Sequence, residues 1–199
     1  METVGVVLAG GLSSRMKLDK SNLLWEDKTL VEHTKKMLLD AGCQTVLISD
    51  NKHQDNIADR FVNSGPLAGI EACLYHLLKQ KNTPDQNMLL MPVDMPLMTT
   101  KLLSTLISKA ETGSAVFFSL GRFPLLLPIE QQLLDWLSNA LKSKSQNNST
   151  KGKANSIKQM LSHLPCKIIN IDDGQSSAFS NCNTPQEWQT LQNNLKRNR

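Results

Sequence analysis

The stretch VVLAGGLSSRMKLDK, residues 6–20, begins as a hydrophobic run, breaks into two glycines and then carries a cluster of positive charge. Gly10 and Gly11 allow a tight backbone turn whose N–H groups come close to an anion. Arg15 offers a planar fork for phosphate oxygens, and Lys20 offers a compact charge. The alternative is an ordinary glycine turn with solvated lysines, because the stretch has neither the Walker pattern nor GxGxxG. It predicts a buried strand followed by an anion-binding loop.

Apolar runs of strand length alternate along the chain with stretches whose apolar residues fall at helical spacing. The runs occupy residues 4–9, 45–49, 88–93, 114–120 and 167–171. The helical stretches occupy residues 29–42, 67–80, 101–111 and 133–142. Because alternating strands and helices require crossover connections, the pattern predicts an α/β fold with a mostly parallel central sheet.

The first helix and one polar segment have clear boundaries in the sequence. Asp27 or Thr29 is expected to cap the start of the helix, and Gly42 to follow its end in a left-handed conformation. Residues 143–155 have no apolar side chain except Ala154, so we expect a mobile loop there. The residues after this loop supply only one strand and one or two helices, and the whole chain, 1–199, is therefore expected to form a single domain.

The composition favours small anionic ligands. A net charge of +4, from 22 basic and 18 acidic residues, is low for a nucleic-acid protein, and one tyrosine with five phenylalanines offers little surface for base stacking. The four cysteines form no CxxC pair, so neither a zinc site nor a disulfide framework is expected. No signal sequence or apolar stretch of about 18 residues is present, which predicts a cytoplasmic protein without a membrane partner.

Two loops after predicted strands contain residues suited to ligand binding, because ligands of open parallel sheets lie at the carboxyl ends of the strands. In MPVDMP, residues 91–96, Asp94 ends an apolar strand and would project a carboxylate suited to Mg²⁺ into the crevice; an ordinary Pro-flanked turn is the alternative. In SGPLAGI, residues 64–70, Gly65 and Pro66 precede a helix whose free N–H groups could face an anion or a base edge. Taken alone, this segment favours a plain helix start over a ligand site.

A third loop, SNCNTPQEW at residues 180–188, combines a helix cap with two amide side chains. Thr184 and Pro185 are expected to start the last helix, with Thr184 as its cap. Capping does not explain Asn181 and Asn183, whose amides can donate and accept hydrogen bonds. No close metal-ligand or catalytic-triad spacing is formed by His33, His53, His76 and His163.

Four motifs, LAGGLSSRMKLDK, GPLAG, PVDMP and NTPQE, occur in this order over nearly the whole chain. Their combination resembles the family of molybdenum cofactor guanylyltransferases. The resemblance implies a three-layer Rossmann-like nucleotidyltransferase fold, with GTP as substrate and Mg²⁺ as cofactor. It implies transfer of GMP onto the phosphate of molybdopterin or the molybdenum cofactor, with release of pyrophosphate. Transient contacts with cofactor-synthesis or acceptor proteins would follow from this role.

The resemblance also implies which residues hold the nucleotide. The first set follows the opening strand and comprises Leu8, Ala9, Gly10 and Gly11. Further along the chain it implies Lys20 at the phosphates, Asp59 at the nucleotide, and Asp94 at both GTP and Mg²⁺. A family asparagine after the second strand falls near Ser49, Asp50 or Asn51, and Asn51 is the candidate.

The remaining assignments concern the helix start, the second substrate and the catalytic charges. Gly65, Pro66 and Leu67 of GPLAG are expected at the nucleotide, and Asn181 and Asn183 at the second substrate. The expected catalytic residues are Arg15, Lys20 and Asp94.

Three positions depart from the family pattern. Lys17 replaces a glycine, Phe123 replaces the histidine of a His-Pro pair, and an arginine is missing from NSIKQM, where only Lys158 is basic. These departures keep open a nucleotide-binding relative without catalysis. A cytidylyl- or sugar-phosphate nucleotidyltransferase is another alternative, although Gly11 favours GTP because cytidylyl relatives tend to carry alanine there.

Overall fold

The computed structural model describes residues 1–10, 23–80, 86–146 and 156–197. Gly11, Arg15, Lys17 and Lys20 lie outside the described residues. The strands in the described part are β1 (Glu2–Leu8), β2 (Leu24–Trp25), β3 (Lys28–Thr29), β4 (Thr45–Ser49), β5 (Gln86–Pro92), β6 (Ala115–Phe118), β7 (Leu125–Pro128) and β8 (Cys166–Ile169). The helices are α1 (Leu30–Asp40), α2 (Pro66–Lys79), α3 (Thr100–Ser108), α4 (Gln131–Gln146), α5 (Ile157–Leu161) and α6 (Pro185–Arg197), with a 3₁₀ turn at Asp173–Phe179.

Six of these strands form one mixed sheet in the order β4-β1-β5-β7-β6-β8. The β1–β4, β1–β5 and β6–β8 pairs are parallel, while β7 runs antiparallel to both of its neighbours. The strands β2 and β3 form a separate antiparallel hairpin. The predicted α/β fold with a mostly parallel sheet is confirmed.

Helices cover both faces of the sheet, which gives the predicted three layers. Along β1, Val7 contributes to one hydrophobic cluster, which contains residues of α1, α3 and α6. The neighbouring Val6 and Leu8 contribute to a second cluster, which contains residues of α2, α4 and α5. Because successive side chains of a strand point to opposite faces, an uninterrupted apolar strand such as β1 is buried on both sides.

The ends of α1 follow from local sequence. The hydroxyl of Thr29 accepts a hydrogen bond from the amide of Glu32, and the Glu32 carboxylate accepts one from the Thr29 amide, which completes a capping box. Gly42, with φ of 111°, follows the helix as predicted. Of the two predicted caps, Thr29 is confirmed and Asp27 is wrong, since Asp27 lies in the β2–β3 turn.

Two features differ from the sequence prediction. The strand β7 was not predicted, because its short apolar run is bounded by Pro124 and Pro128 and prolines are rare in central strands. Its position beside β5 makes it part of the core. The loop predicted at residues 143–155 begins too early, since α4 continues to Gln146. Polar residues such as lysine and glutamine have good helix propensity, so the absence of apolar side chains did not end the helix.

Close packing between Gly69 and Ser49 fixes α2 against the sheet. A Cβ atom on Gly69 would lie 2.4 Å from the Ser49 hydroxyl oxygen and 3.4 Å from its Cβ. Ser49 is the last residue of β4 and is only 2% exposed, so it has little room to move. Glycine at this position lets the first turn of α2 approach the carboxyl end of β4.

We predict that Gly69→Ala lowers the free energy of unfolding by about 1 kcal/mol, as expected for overpacking of a buried contact. In a Ser49→Ala background, the same substitution should be neutral or stabilising, because the clashing hydroxyl is gone and alanine favours the helix. Urea unfolding of the four proteins of this double-mutant cycle measures the coupling. Equal effects of Gly69→Ala in both backgrounds would disprove the steric explanation.

Candidate active site

The carboxyl ends of β1, β4 and β5 meet at one edge of the sheet. In the paired registers, Leu8 stands opposite Ser49 on one side and opposite Pro92 on the other. The helices α1 and α2, which follow β1 and β4, pack on opposite faces of the sheet. This arrangement creates a topological switch point at β1, where open α/β sheets bind ligands.

The turn after β1 is tied to the end of β4. The amides of Ala9 and Gly10 both donate to the carbonyl oxygen of Ser49, each at 3.0 Å. These two N–H groups are therefore used within the protein, and a nucleotide contact at Gly10 stays a prediction. Apart from its chain neighbours, no atom of the described residues would lie closer than 3.7 Å to a Cβ atom on Gly10, so the packing of that part of the chain does not demand glycine there.

Asn51 and Asp59 form a reciprocal pair beyond the end of β4. The Asn51 side-chain amide donates to the Asp59 carboxylate at 2.8 Å, and the Asp59 backbone amide donates to the Asn51 side-chain oxygen at 2.7 Å. Burial raises the pKa of Asp59, the hydrogen bond from Asn51 offsets part of this rise, and the charge of Asp50 adds to it. The two predicted residues thus act as one unit.

The three candidates for the family asparagine are separated by their surroundings. The Ser49 side chain lies against Gly69 in the core. Asp50 is 4% exposed, and its carboxylate is hydrogen-bonded to the ring of His53. Asn51 is exposed and paired with Asp59. Of the three, Asn51 is the residue whose side chain lies at the surface beside another predicted nucleotide contact.

An ion pair that the sequence did not reveal anchors the segment of Asp59. The guanidinium of the next residue, Arg60, contacts the Glu71 carboxylate at 2.8 Å and lies 3.6 Å from the centre of the Tyr75 ring. Glu71 is fully buried in α2 and also accepts a hydrogen bond from Ser138 of α4 at 2.6 Å. Removing one partner of such a pair leaves a buried charge and is costly.

Asp94 lies two residues beyond β5, in a turn, and is half-buried. Its backbone carbonyl accepts the amide of Cys182 at 2.8 Å, so the segment before α6 is joined directly to the Asp94 turn. Asn181 is exposed and lines an open cleft of about 350 Å³. The structure therefore brings Asn181 close in the fold to Asp94, although the two lie far apart in the sequence.

The start of α6 is fixed by a second capping box. The Thr184 hydroxyl accepts from the Glu187 amide at 3.2 Å, and the Glu187 carboxylate accepts from the amides of Asn183 and Thr184. Thr184 is confirmed as the cap. The backbone of Asn183 is held by Glu187, which fixes where this residue stands.

The other residues predicted to bind the nucleotide lie at the start of α2 and at the end of β1. Gly65 has φ of 72° and ψ of −159°, a conformation open to glycine, and Pro66 occupies the first turn of α2. Gly65 and Pro66 are exposed, whereas the side chains of Leu67 and Leu8 are buried in the core. A ligand could reach those two leucines only through their peptide groups.

The structure also places two of the departures from the family pattern. Phe123 is partly buried and packs against both hydrophobic clusters, so an apolar side chain there serves the core. Lys158 is exposed on α5. Phe123 precedes β7, whose first residue Leu125 pairs with Leu90 near the carboxyl end of β5, whereas Lys158 precedes β8.

The donor set at this edge fits Mg²⁺. In the described part of the chain, no group of three or more His, Cys, Asp or Glu side chains could hold a metal ion. Mg²⁺ needs no such cage, because it is bound through one or two carboxylates together with substrate phosphates. Asp94 supplies one hard oxygen donor at the ligand-binding edge of the sheet.

Known proteins similar to this chain identify its family. The family model for the MobA-like NTP transferase domain matches residues 5–166, most of the chain. The chain belongs to this family. It is 32% identical over 189 residues to a molybdenum cofactor guanylyltransferase of Xanthomonas euvesicatoria, covering 94% of this chain and 93% of the relative. It is also 32% identical to a probable molybdenum cofactor guanylyltransferase of Flavobacterium johnsoniae, covering 98% and 100% of the two chains.

Solved structures of MobA-like and other nucleotidyl transferases share the fold. A molybdopterin-guanine dinucleotide biosynthesis protein A from Archaeoglobus fulgidus superposes with a TM-score of 0.71 at 19% identity, covering 98% of this chain and 99% of that one. A nucleotidyl transferase from Methanothermobacter gives a TM-score of 0.69 at 15% identity, covering 100% and 99%. The predicted Rossmann-like nucleotidyltransferase fold is confirmed. No helix in the described residues is long and apolar enough to span a bilayer.

We predict that Asn51→Ala raises the pKa of Asp59 further, because the hydrogen bond that stabilises its ionised form is lost. Titration of the Asp59 carboxyl carbon by NMR measures the change. The control is Gln54→Ala, which removes an exposed amide from the same loop. The pairing of Asn51 with Asp59 is refuted if the pKa of Asp59 is unchanged, or falls, in Asn51→Ala.

Proposed function

We propose that this enzyme transfers GMP from GTP to the phosphate of molybdopterin or the molybdenum cofactor and releases pyrophosphate. The observation that carries the proposal is the meeting of Gly10, the Asn51–Asp59 pair and Asp94 at the switch point of the sheet. Curated relatives of the same length bear the name of this activity. We expect the reaction to take place in the cytoplasm.

The chemistry of the reaction suits a site without a nucleophilic side chain. A terminal phosphate oxygen of the acceptor attacks the α-phosphorus of GTP, the new P–O bond forms, and the bond to the β-phosphate breaks. The bond electrons leave with pyrophosphate. Because a phosphate nucleophile is already ionised near neutral pH, no general base is required. Repulsion between the acceptor phosphate and the triphosphate is then the main contribution to the activation barrier. Positive charges held in place by the protein lower this barrier.

The nucleotide side of the proposed site is built on β1, β4 and α2. The described residues leave space beside Gly10 for a base or ribose, and the Asn51–Asp59 pair offers both a carboxylate and an amide to the nucleotide. Arg15 and Lys20, carried over from the family motif, would neutralise the triphosphate. Their roles rest on the sequence pattern.

Asp94 is the residue proposed to hold Mg²⁺. When bound, the ion would neutralise charge on the triphosphate oxygens. The protein itself fixes the Asp94 turn through the hydrogen bond from the Cys182 amide to the Asp94 carbonyl. Cys182 lies between Asn181 and Asn183, the two asparagines predicted to bind the second substrate. Asn181, exposed beside a cleft, and Asn183 are proposed to contact the second substrate.

A nucleotide panel tests the proposed substrate. With Mg²⁺ and molybdopterin, we expect pyrophosphate release from GTP and little from CTP, ATP or UTP, measured by a coupled pyrophosphate assay. Equal or faster use of CTP would favour the cytidylyl alternative. Binding of GTP without turnover would favour a relative that has lost catalysis.

We predict that Asp94→Asn abolishes GMP transfer while leaving the fold intact, because the amide keeps the size of the side chain but cannot supply the anionic ligand that Mg²⁺ prefers. Pyrophosphate release and the thermal unfolding midpoint are measured together. Asp40→Asn is the matched control, since Asp40 is exposed at the end of α1 and pairs with Lys36. Full activity of Asp94→Asn would remove Asp94 from the proposed metal site.

A further inference from the structure

The Asp94 turn, residues 93–97, receives a hydrogen bond from a histidine to which the sequence patterns assigned no role. The Nε2 atom of His33, in α1, lies 3.1 Å from the carbonyl oxygen of Pro96. A carbonyl only accepts, so Nε2 carries the proton and donates it. Burial lowers the pKa of His33, and the hydrogen bond to Pro96 offsets part of this effect. The lowered pKa favours the neutral ring, in which Nε2–H remains the donor.

His33 is itself packed against an aromatic pair. Its ring centre lies 6.0 Å from that of Trp25 in β2, and the Trp25 ring lies 5.6 Å from that of Trp188 in α6. Trp25 is 3% exposed and Trp188 is 9% exposed, so both rings are held inside the core. A further hydrogen bond joins α6 to the hairpin, from the side chain of Gln192 to the carbonyl of Leu24 at 3.3 Å.

The Asp94 turn is held by hydrogen bonds from two different parts of the chain. One side of the turn is held at Pro96 by His33, and the other at Asp94 by the amide of Cys182. Cys182 lies between the two candidate asparagines of the acceptor side, and the helix that follows them carries Trp188. The aromatic stack therefore connects the histidine to the same segment that reaches Asp94 from the other side.

We propose that His33 is a positioning residue for Asp94: its Nε2–H fixes the Pro96 carbonyl, and its packing on Trp25, which in turn contacts Trp188, makes the Asp94 turn and the Asn181–Asn183 segment a single rigid unit. This inference deepens the proposed function and rests on it for its kinetic consequence. This unit would hold Asp94, the proposed metal ligand, at a fixed position relative to Asn181 and Asn183, the proposed contacts of the second substrate. Loss of the His33 donor is then expected to misalign the reacting groups more than it weakens nucleotide binding. Small displacements of this kind reduce the rate strongly.

The structural part of the proposal is tested without any measurement of activity. The Cys182 amide, which donates to Asp94, lies far from His33 in the sequence and reports whether the turn has loosened. In His33→Leu, we expect hydrogen exchange of this amide, followed by NMR, to be about tenfold faster, as local opening becomes easier. In His33→Gln, we expect an exchange rate close to that of the unaltered protein.

Substitution of His33 by Gln or by Asn separates the effect of the hydrogen bond to Pro96 from the effect of side-chain packing. The side-chain nitrogen of Gln stands near the position of His Nε2 and can donate to Pro96, whereas that of Asn stands near Nδ1 and falls short. We expect His33→Gln to keep kcat within about threefold, and His33→Asn and His33→Leu to lower kcat at least about tenfold, with the KM for GTP within about threefold. Thermal unfolding midpoints of His33→Gln and His33→Asn are measured together with kcat and KM, to compare the stability of the two variants.

The outcomes distinguish this inference from the proposed function. Equal Cys182 exchange in His33→Leu and the unaltered protein overturns it, as does equal behaviour of the Gln and Asn variants in both exchange and kcat. If His33→Leu does not fold, the comparison of Gln with Asn decides. If the unaltered enzyme releases no pyrophosphate from GTP, the proposed function fails while the exchange experiment still decides the role of His33.

Discussion

The backbone carbonyl of Ser49 is the contact on which the ligand-binding edge of this protein depends. It accepts the amides of Ala9 and Gly10, which sets the direction in which the chain leaves β1. The hydroxyl of the same residue lies so close to Gly69 that α2 can approach only where no side chain intervenes. One buried serine thereby positions the glycine turn, the end of β4 and the start of α2 relative to one another.

The polar residues of the site are held by contacts that leave them little freedom. Asp59 is paired with Asn51, and its neighbour Arg60 is bound to the buried Glu71. Asp94 is held through its backbone by Cys182. For a reaction between two anions, charges and dipoles that are already in place avoid the cost of reorganisation at the moment of reaction. The ion pair between Arg60 and the buried Glu71 therefore holds the backbone next to Asp59.

Local patterns were sufficient to predict much of the fold. The apolar run of β1, the capping box at Thr29 and the glycine after α1 are each decided by neighbouring residues. The β2–β3 hairpin was not predictable, because its turn residues Glu26 and Asp27 adopt positive φ without the glycine that usually marks such a turn. The Arg60–Glu71 pair and the His33–Pro96 bond join different elements, and only the folded chain shows them.

The antiparallel strand β7 divides the sheet into two parts with different roles. β1, β4 and β5 form the parallel part, whose carboxyl ends carry the residues assigned to the nucleotide. β6 and β8 form the part from which the chain continues to Asn181 and Asn183. Of the family departures, Phe123 precedes β7 and packs against both hydrophobic clusters, and Lys158 lies in α5 before β8. Cys182 joins the segment after β8 to the backbone of Asp94, and β7 pairs directly with β5, so the second part of the sheet is connected to the Asp94 turn by two routes.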